Sequence, residues 1–203
     1  MVLDRRSVLA AFAALLTAPA AAQAPAAPAA AAETSASPAA GMTRVTAYAF
    51  SFAGLNGGQI RLIEHAGKPI LIVNTASRCG FTPQYAGLQE LWTRFRDRGL
   101  LVVGVPSNDF GGQEPGGPDE IARTANEHFG ASFPLAAKAE VRGANPHPFY
   151  KWAAFERPFE LPSWNFHKYL IGRDGHVAAT FPAEVEPTDP RVIAAITREL
   201  GAE

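Results

Sequence analysis

The sequence holds one cysteine, Cys79, in 203 residues. A lone thiol excludes an intramolecular disulfide framework and a four-cysteine structural zinc site. It also excludes dithiol exchange of the Cys-x-x-Cys kind, because the position three residues on is Thr82. An excess of one charge is lacking too: 18 Lys and Arg stand against 19 Asp and Glu, a net charge of −1. No basic excess points to nucleic acid, and no acidic excess points to a solvating tail. His65, His128, His147, His167 and His176 form no helical i, i+4 pair and no Cys/His cluster, so the sequence offers no metal site. The glycines at 111–112 and 116–117 lack the Lys-Ser/Thr ending of a phosphate loop.

What is present begins with a targeting pattern. Arg5-Arg6 precedes the apolar run from Val8 to Leu16, and small residues follow around Ala20-Ala21-Ala22. That is a charged region, a short apolar region and a cleavage site of the A-x-A type. The apolar run is about half of the roughly 20 residues that a membrane span needs. We read residues 1–22 as an export signal, with the paired arginines indicating the twin-arginine route. The mature protein is then expected in the bacterial periplasm, without a membrane span. Residues 23–43 are mostly Ala and Pro, which cannot bury a core, and read as a semi-rigid linker. Residues 44–203 form the expected globular domain, with hydrophobic residues at 47% and charged residues at 18% of the whole chain.

Along that domain, Tyr48–Phe52 and Gln59–Ile63 flank the Asn56-Gly57-Gly58 turn and predict an N-terminal hairpin. Continuous apolar runs at Pro69–Asn74 and Leu100–Val105 predict strands buried on both faces. Between them, Leu88, Leu91, Trp92 and Phe95 recur at helical spacing over 84–98, with Gly99 at the stop. Helices are predicted over 118–129, 148–155 and 190–200, and a second hairpin over 167–181 around Gly172-Arg173-Asp174-Gly175. Strand, helix and strand in this order imply a parallel crossover, to which the late hairpin adds antiparallel strands. The expected fold is α/β: a mixed central sheet flanked by helices, in the thioredoxin-like order.

Cys79 lies in Asn74-Thr75-Ala76-Ser77-Arg78-Cys79-Gly80-Phe81-Thr82, between a predicted buried strand and the following helix. Backbone N–H groups left unpaired at a helix start favour the thiolate, the reactive form of a cysteine. A thiolate without a partner thiol can attack a peroxide O–O bond and become a sulfenic acid. Two further motifs are Phe110-Gly111-Gly112-Gln113-Glu114-Pro115-Gly116 and Trp164-Asn165-Phe166-His167-Lys168. With these three motifs in order, the chain from about Tyr48 to the last helix resembles the glutathione peroxidase family. The resemblance implies a thiol-dependent peroxidase with no prosthetic group. It places the nucleophile at Cys79 and its supporting residues at Gln113, Trp164 and Asn165.

The side chains suit those roles. Gln113 and Asn165 carry amide donors and Trp164 an indole donor, which favour a sulfur anion and the oxygen that departs with negative charge. Activating a thiol by acidity alone gains little. A thiol of pKa about 8.5 is roughly 3% ionised at neutral pH, and raising that fraction lowers the intrinsic nucleophilicity.

The chain departs from many cysteine-containing relatives in one respect. The helix after the Gln113 motif reads Ile121-Ala122-Arg123-Thr124-Ala125-Asn126-Glu127-His128, with no resolving cysteine. Glutathione, another small thiol or a thioredoxin-like protein must therefore reduce the oxidised Cys79. The stretch between Phe155 and Trp164 is short, which resembles the monomeric members that accept lipid hydroperoxides. A peroxide sensor that passes the oxidation of Cys79 to a partner protein is the competing reading.

Overall fold

The chain divides into two units, Met1–Pro38 and Ala39–Glu203. The computed structural model describes residues 44–201, all in the second unit. The expected export signal and linker therefore lie outside the described residues.

β3 (Ile70–Thr75) and β4 (Leu101–Pro106) are buried at every position, as their unbroken apolar runs require. They pair in parallel, Ile70 against Leu101 through Thr75 against Pro106. Two faces of one sheet are filled by alternate residues. Leu71, Val73 and Val102 pack with α1 (Gln84–Phe95) and α4 (Pro190–Leu200). Ile70, Ile72, Leu101 and Val103 pack with α3 (Pro148–Glu156) on the other face. α1 buries Leu88, Leu91 and Phe95, one stripe at helical spacing, and runs into a 3₁₀ turn over Arg96–Arg98. Gly99 ends it in the left-handed region at φ 111°, where a side chain is strained. Both α3 and α4 start with proline, and the residue before each proline, His147 and Asp189, caps the helix with its side chain.

β5 (Lys168–Ile171) pairs antiparallel with β3, and β6 (Val177–Phe181) antiparallel with β5. The sheet order is β4-β3-β5-β6, mixed as expected. β1 (Ser51–Ala53) and β2 (Gln59–Arg61) form the separate N-terminal hairpin.

Three local expectations shift. Residues Ala47–Ala49 form a 3₁₀ turn, so the first strand begins only at Ser51. The second strand stops at Arg61, where Leu62–His65 turn to bury Leu62. The helix predicted over 118–129 is α2 only over Pro118–Ala122, then widens into π turns over Arg123–His128. Two of these shifts occur where a buried anchor, Ala47 or Leu62, lies outside strict alternation.

Candidate active site

Cys79 follows β3 by four residues, and α1 begins five residues after it. The sequence expectation put it at or near a helix start. The structure puts it in the series of turns that leads into α1, within which Thr82 N–H donates to Cys79 O at 3.0 Å. Cys79 is nearly covered, 8% exposed. The Phe81 N–H points at Cys79 Sγ at 3.4 Å and supplies a backbone donor to the sulfur. Thr82 organises the turn: its hydroxyl oxygen accepts from Cys79 N at 3.0 Å. The same hydroxyl has Cys79 O at 2.7 Å and Ala76 O at 2.9 Å as acceptors for its one proton. The sequence marked Thr82 only as the place where a second cysteine is missing. Arg78 does not lend its charge to the thiol alone, because its guanidinium pairs with Glu120 at 2.8 Å.

Gln113 comes to this turn from the loop after β4. Its carbonyl accepts from Arg78 N at 3.0 Å, one residue from Cys79. Gly111 and Gly112, at φ 68° and 64°, bend the chain in a way that side-chain-bearing residues resist. A Cβ on Gly111 would also stand 3.3 Å from the Trp164 ring, so the indole occupies space that only glycine leaves open. Trp164 lies edge-on to Phe110, with ring centroids 6.3 Å apart, and is 37% exposed.

The Trp164-Asn165 pair arrives from the loop before β5 and is held by the end of β3. Asn74 Nδ2 donates to Trp164 O at 3.0 Å, and Phe166 N donates to Asn74 O at 2.6 Å. Phe166 sits at φ 65°, a strained setting for a bulky residue, and its ring is fully buried in the core against Tyr85. Its burial holds the turn that presents Trp164 and Asn165.

Asn165 is fully buried, and its amide donates to Gln113 Oε1 at 2.9 Å and to Phe110 O at 3.3 Å. Both of its N–H groups are thus engaged by the Gln113 loop, where the sequence reading had them serve the sulfur and the departing oxygen. Fixing Gln113 Oε1 also fixes which way the Gln113 amide faces. Gln113 Nε2 and Trp164 Nε1 have no hydrogen-bond acceptor among the described residues, so these two neutral donors are unspent. The structure therefore brings the four sequence-selected positions to one place. Gln113 is bonded beside Cys79 through the backbone and to Asn165 through side chains, with Trp164 packed over the Gly111 bend.

Three supporting residues carried no separate signal in the sequence. Glu114 is buried, with its N–H on Asn108 Oδ1 at 2.9 Å. Burial raises its carboxyl above the usual range, while neighbouring Ser77 pulls it the other way. Neither Glu114 oxygen meets a donor in hydrogen-bond geometry among the described residues. Lys168 is buried and bonds Gln84 Oε1 at 2.7 Å and Phe166 O at 2.8 Å, tying the start of β5 to the start of α1. Burial lowers its pKa to about 8, partly offset by Glu186 and Glu184. His167 is held down to about 4 by burial and then by Lys168. Among the described residues, no group of His, Cys, Asp or Glu is placed to hold a metal ion.

A family model described as glutathione peroxidase matches residues 47–154. The hydroperoxy fatty acid reductase gpx1 of Synechocystis sp. is 44% identical over 153 residues, which cover 71% of this chain and 90% of that protein. The crystal structure of Trgpx in apo form is 31% identical with a TM-score of 0.62, covering 77% of this chain and 96% of that one. A thiol:disulfide interchange protein of the thioredoxin family from Chlorobium tepidum, 16% identical, reaches a TM-score of 0.52 over 75% of this chain and 93% of its own. That last likeness is one of fold, and it identifies the mixed sheet and flanking helices as thioredoxin-like. With more than half of its length matched by the family model, this chain belongs to the glutathione peroxidase family, the thiol-dependent peroxidases.

Proposed function

We propose that the protein reduces hydrogen peroxide and organic hydroperoxides, including fatty acyl ones, by a one-cysteine cycle on Cys79. The Cys79 thiolate attacks the terminal peroxide oxygen. The S–O bond forms as the O–O bond breaks, and the alkoxide or hydroxide leaves and takes up a proton. Sulfur is oxidised to the sulfenic acid and the peroxide is reduced to alcohol or water. A first external thiol then displaces water to give a mixed disulfide. A second releases Cys79 as the thiol and departs with the first as a disulfide. The observation that carries this reading is the bond between Asn165 and Gln113, which takes up Gln113 Oε1 and leaves Gln113 Nε2 as a donor for the departing oxygen.

External reduction follows from the single cysteine. Glutathione or a thioredoxin-like protein is the reductant we assign, acting on a monomer exported to the periplasm by residues 1–22. The test is a reductant panel of glutathione, dithiothreitol, and thioredoxin with its reductase, each with hydrogen peroxide. Steady turnover with one of them is expected, as is a dimedone adduct on Cys79 when reductant is withheld. A single oxidation without turnover by any thiol would instead favour the sensor that passes oxidation to a partner. Light scattering of the purified protein checks the monomer, and fractionation of expressing cells checks export.

A further inference from the structure

The loop that delivers Trp164, with the helix before it, exposes more apolar surface than a satisfied core leaves over. Phe155 is 74% exposed, Phe159 98% and Leu161 49%. The outer side of α3 and the loops at either end of it enclose a groove of about 460 Å³. That volume lies within the roughly 300–1,000 Å³ of small-molecule sites. Pro146, Tyr150, Phe155, Leu161 and Pro162 give the groove apolar walls, and its charged lining residues are Arg142 and Lys151, both cationic.

The groove adjoins the loop that carries Trp164. Leu161 and Pro162 line it and stand two or three positions before Trp164. At its other side the Arg142 guanidinium stacks over the Phe110 ring at 4.5 Å, and Phe110 is the ring against which Trp164 packs. The Asp109 carboxylate is occupied by backbone: its Oδ2 accepts from Val141 N at 2.6 Å and Arg142 N at 3.1 Å. The Arg142 side chain spends one donor, on Asp109 O at 3.0 Å, which leaves others in its fork for an anion.

We propose that this groove is a binding subsite for a free fatty-acid hydroperoxide. The acyl chain lies along Pro146, Phe155 and Leu161, the carboxylate faces Arg142 and Lys151, and the peroxidised carbon extends past Trp164 towards Cys79. Apolar walls ending in two cations fit an amphiphile with one anionic end. The inference rests on the peroxidase reading of Cys79 and adds to it where the substrate is held.

The test measures kcat/KM with a hydroperoxy octadecadienoic acid, its methyl ester, peroxidised phosphatidylcholine vesicles and hydrogen peroxide. The first two are kept below micelle formation, and each rate is divided by the hydrogen peroxide rate of the same variant. The wild type is expected to prefer the acid over the ester by about fivefold, the scale of one exposed charge pair. Arg142→Gln and Lys151→Gln should each shrink that preference towards unity. Leu161→Asp should lower acid and ester together relative to hydrogen peroxide. Because Arg142 also packs on Phe110, Lys151→Gln serves as the variant free of that contact. Equal rates for acid and ester in the wild type overturn the proposal. So do charge variants that keep the preference, or vesicle substrate that is favoured over the acid. Failure to reduce any substrate, hydrogen peroxide included, would overturn the peroxidase reading instead.

Discussion

Asn165 offers the sharpest test of how the site works, because its amide acts on Gln113 and not on the sulfur. Asn165→Ala removes donors from two acceptors, the half-buried Gln113 Oε1 and the buried Phe110 O. A buried acceptor left unpaired costs roughly 1–3 kcal/mol, and a half-buried one that water can reach costs less, so a stability loss of about 1–3 kcal/mol is expected. The kinetic effect comes from the freed Gln113 amide. A fixed donor aimed at a developing oxyanion is worth about 10²–10³ in rate, and one that rotates keeps part of that, so oxidation should slow by roughly 10–100-fold. Asn165→Asp should be worse, although it is closer in shape. A carboxylate offers no N–H to Gln113 Oε1, so the Gln113 amide turns to donate its own Nε2 to the aspartate. Its oxygen then faces the reacting centre, and two lone pairs repel the anion that the donor had stabilised. Stopped flow measures the oxidation of reduced protein by hydrogen peroxide. Alkylation of Cys79 by iodoacetamide is the control, since that reaction has no departing oxygen and does not need the Gln113 donor. The expected result is an oxidation rate that falls at least tenfold more than the alkylation rate, with Asp below Ala. Equal losses in the two reactions would show that Asn165 only holds the fold. No loss in either would refute the role of the Gln113 amide altogether.

Other perturbations follow from the same geometry. Gly111→Ala puts a Cβ 3.3 Å from the Trp164 ring at φ 68°. It should cost about 1–2 kcal/mol in urea unfolding and slow peroxide oxidation, whereas Gly112→Ala, with no atom near its Cβ, should show the backbone cost alone. Thr82→Val keeps the shape of the side chain but removes the hydroxyl that holds Cys79 N–H and shares its proton between two carbonyls. Roughly 1–3 kcal/mol of stability should be lost, with faster hydrogen exchange in the 76–82 turn. His167 makes stability depend on acid. Its folded pKa of about 4 lies below the unfolded 6.5, so the unfolded chain binds a proton that the native state refuses. The stability is whole above pH 6.5 and drains as pH falls towards 4, by about 3 kcal/mol. Urea unfolding at pH 7 and pH 4.5 should show a larger drop for the wild type than for His167→Gln. An equal drop would remove His167 from the explanation.

How much of this was legible beforehand depended on whether a residue's task was local. The buried strands β3 and β4 declared themselves as unbroken apolar runs, and α1 by the spacing of Leu88, Leu91 and Phe95. Gly99 declared where that helix stops. The ends of elements were less legible, because a tertiary contact decides them. Nothing near Leu62 in sequence says that it turns inward and stops β2. Likewise, the widening of α2 into π turns has no mark in the residues 123–128 themselves. The site divides the same way. Cys79 could be placed from the strand before it and the helix after it. Gln113, Trp164 and Asn165 could be selected only through a family resemblance, since each alone reads as a loop or core residue.

What no single-residue reading supplied was the division of labour among the four positions. Amide and indole groups were all selected as donors to the sulfur and to the departing oxygen, a statement about chemical type. Which of them can donate to a reactant is decided by which acceptors are already taken, and that is a property of three loops meeting. Asn165 spends both N–H groups across 52 and 55 residues of sequence, on Gln113 and Phe110. By doing so it leaves Gln113 Nε2 to do what its own amide type also suggested. Asn165 and Phe110 are both fully buried, so no water competes for Phe110 O, while Gln113 is half-buried. The lone cysteine then depends on this frame. Phe81 N–H faces the sulfur, Thr82 holds the turn, and Gln113, bonded to Arg78 through its backbone, has its side-chain amide oriented by Asn165. A chain with the same Cys79 turn but an unconstrained Gln113 would keep a nucleophile and lose the stabilisation of the oxygen that departs, which is where most of the rate must come from.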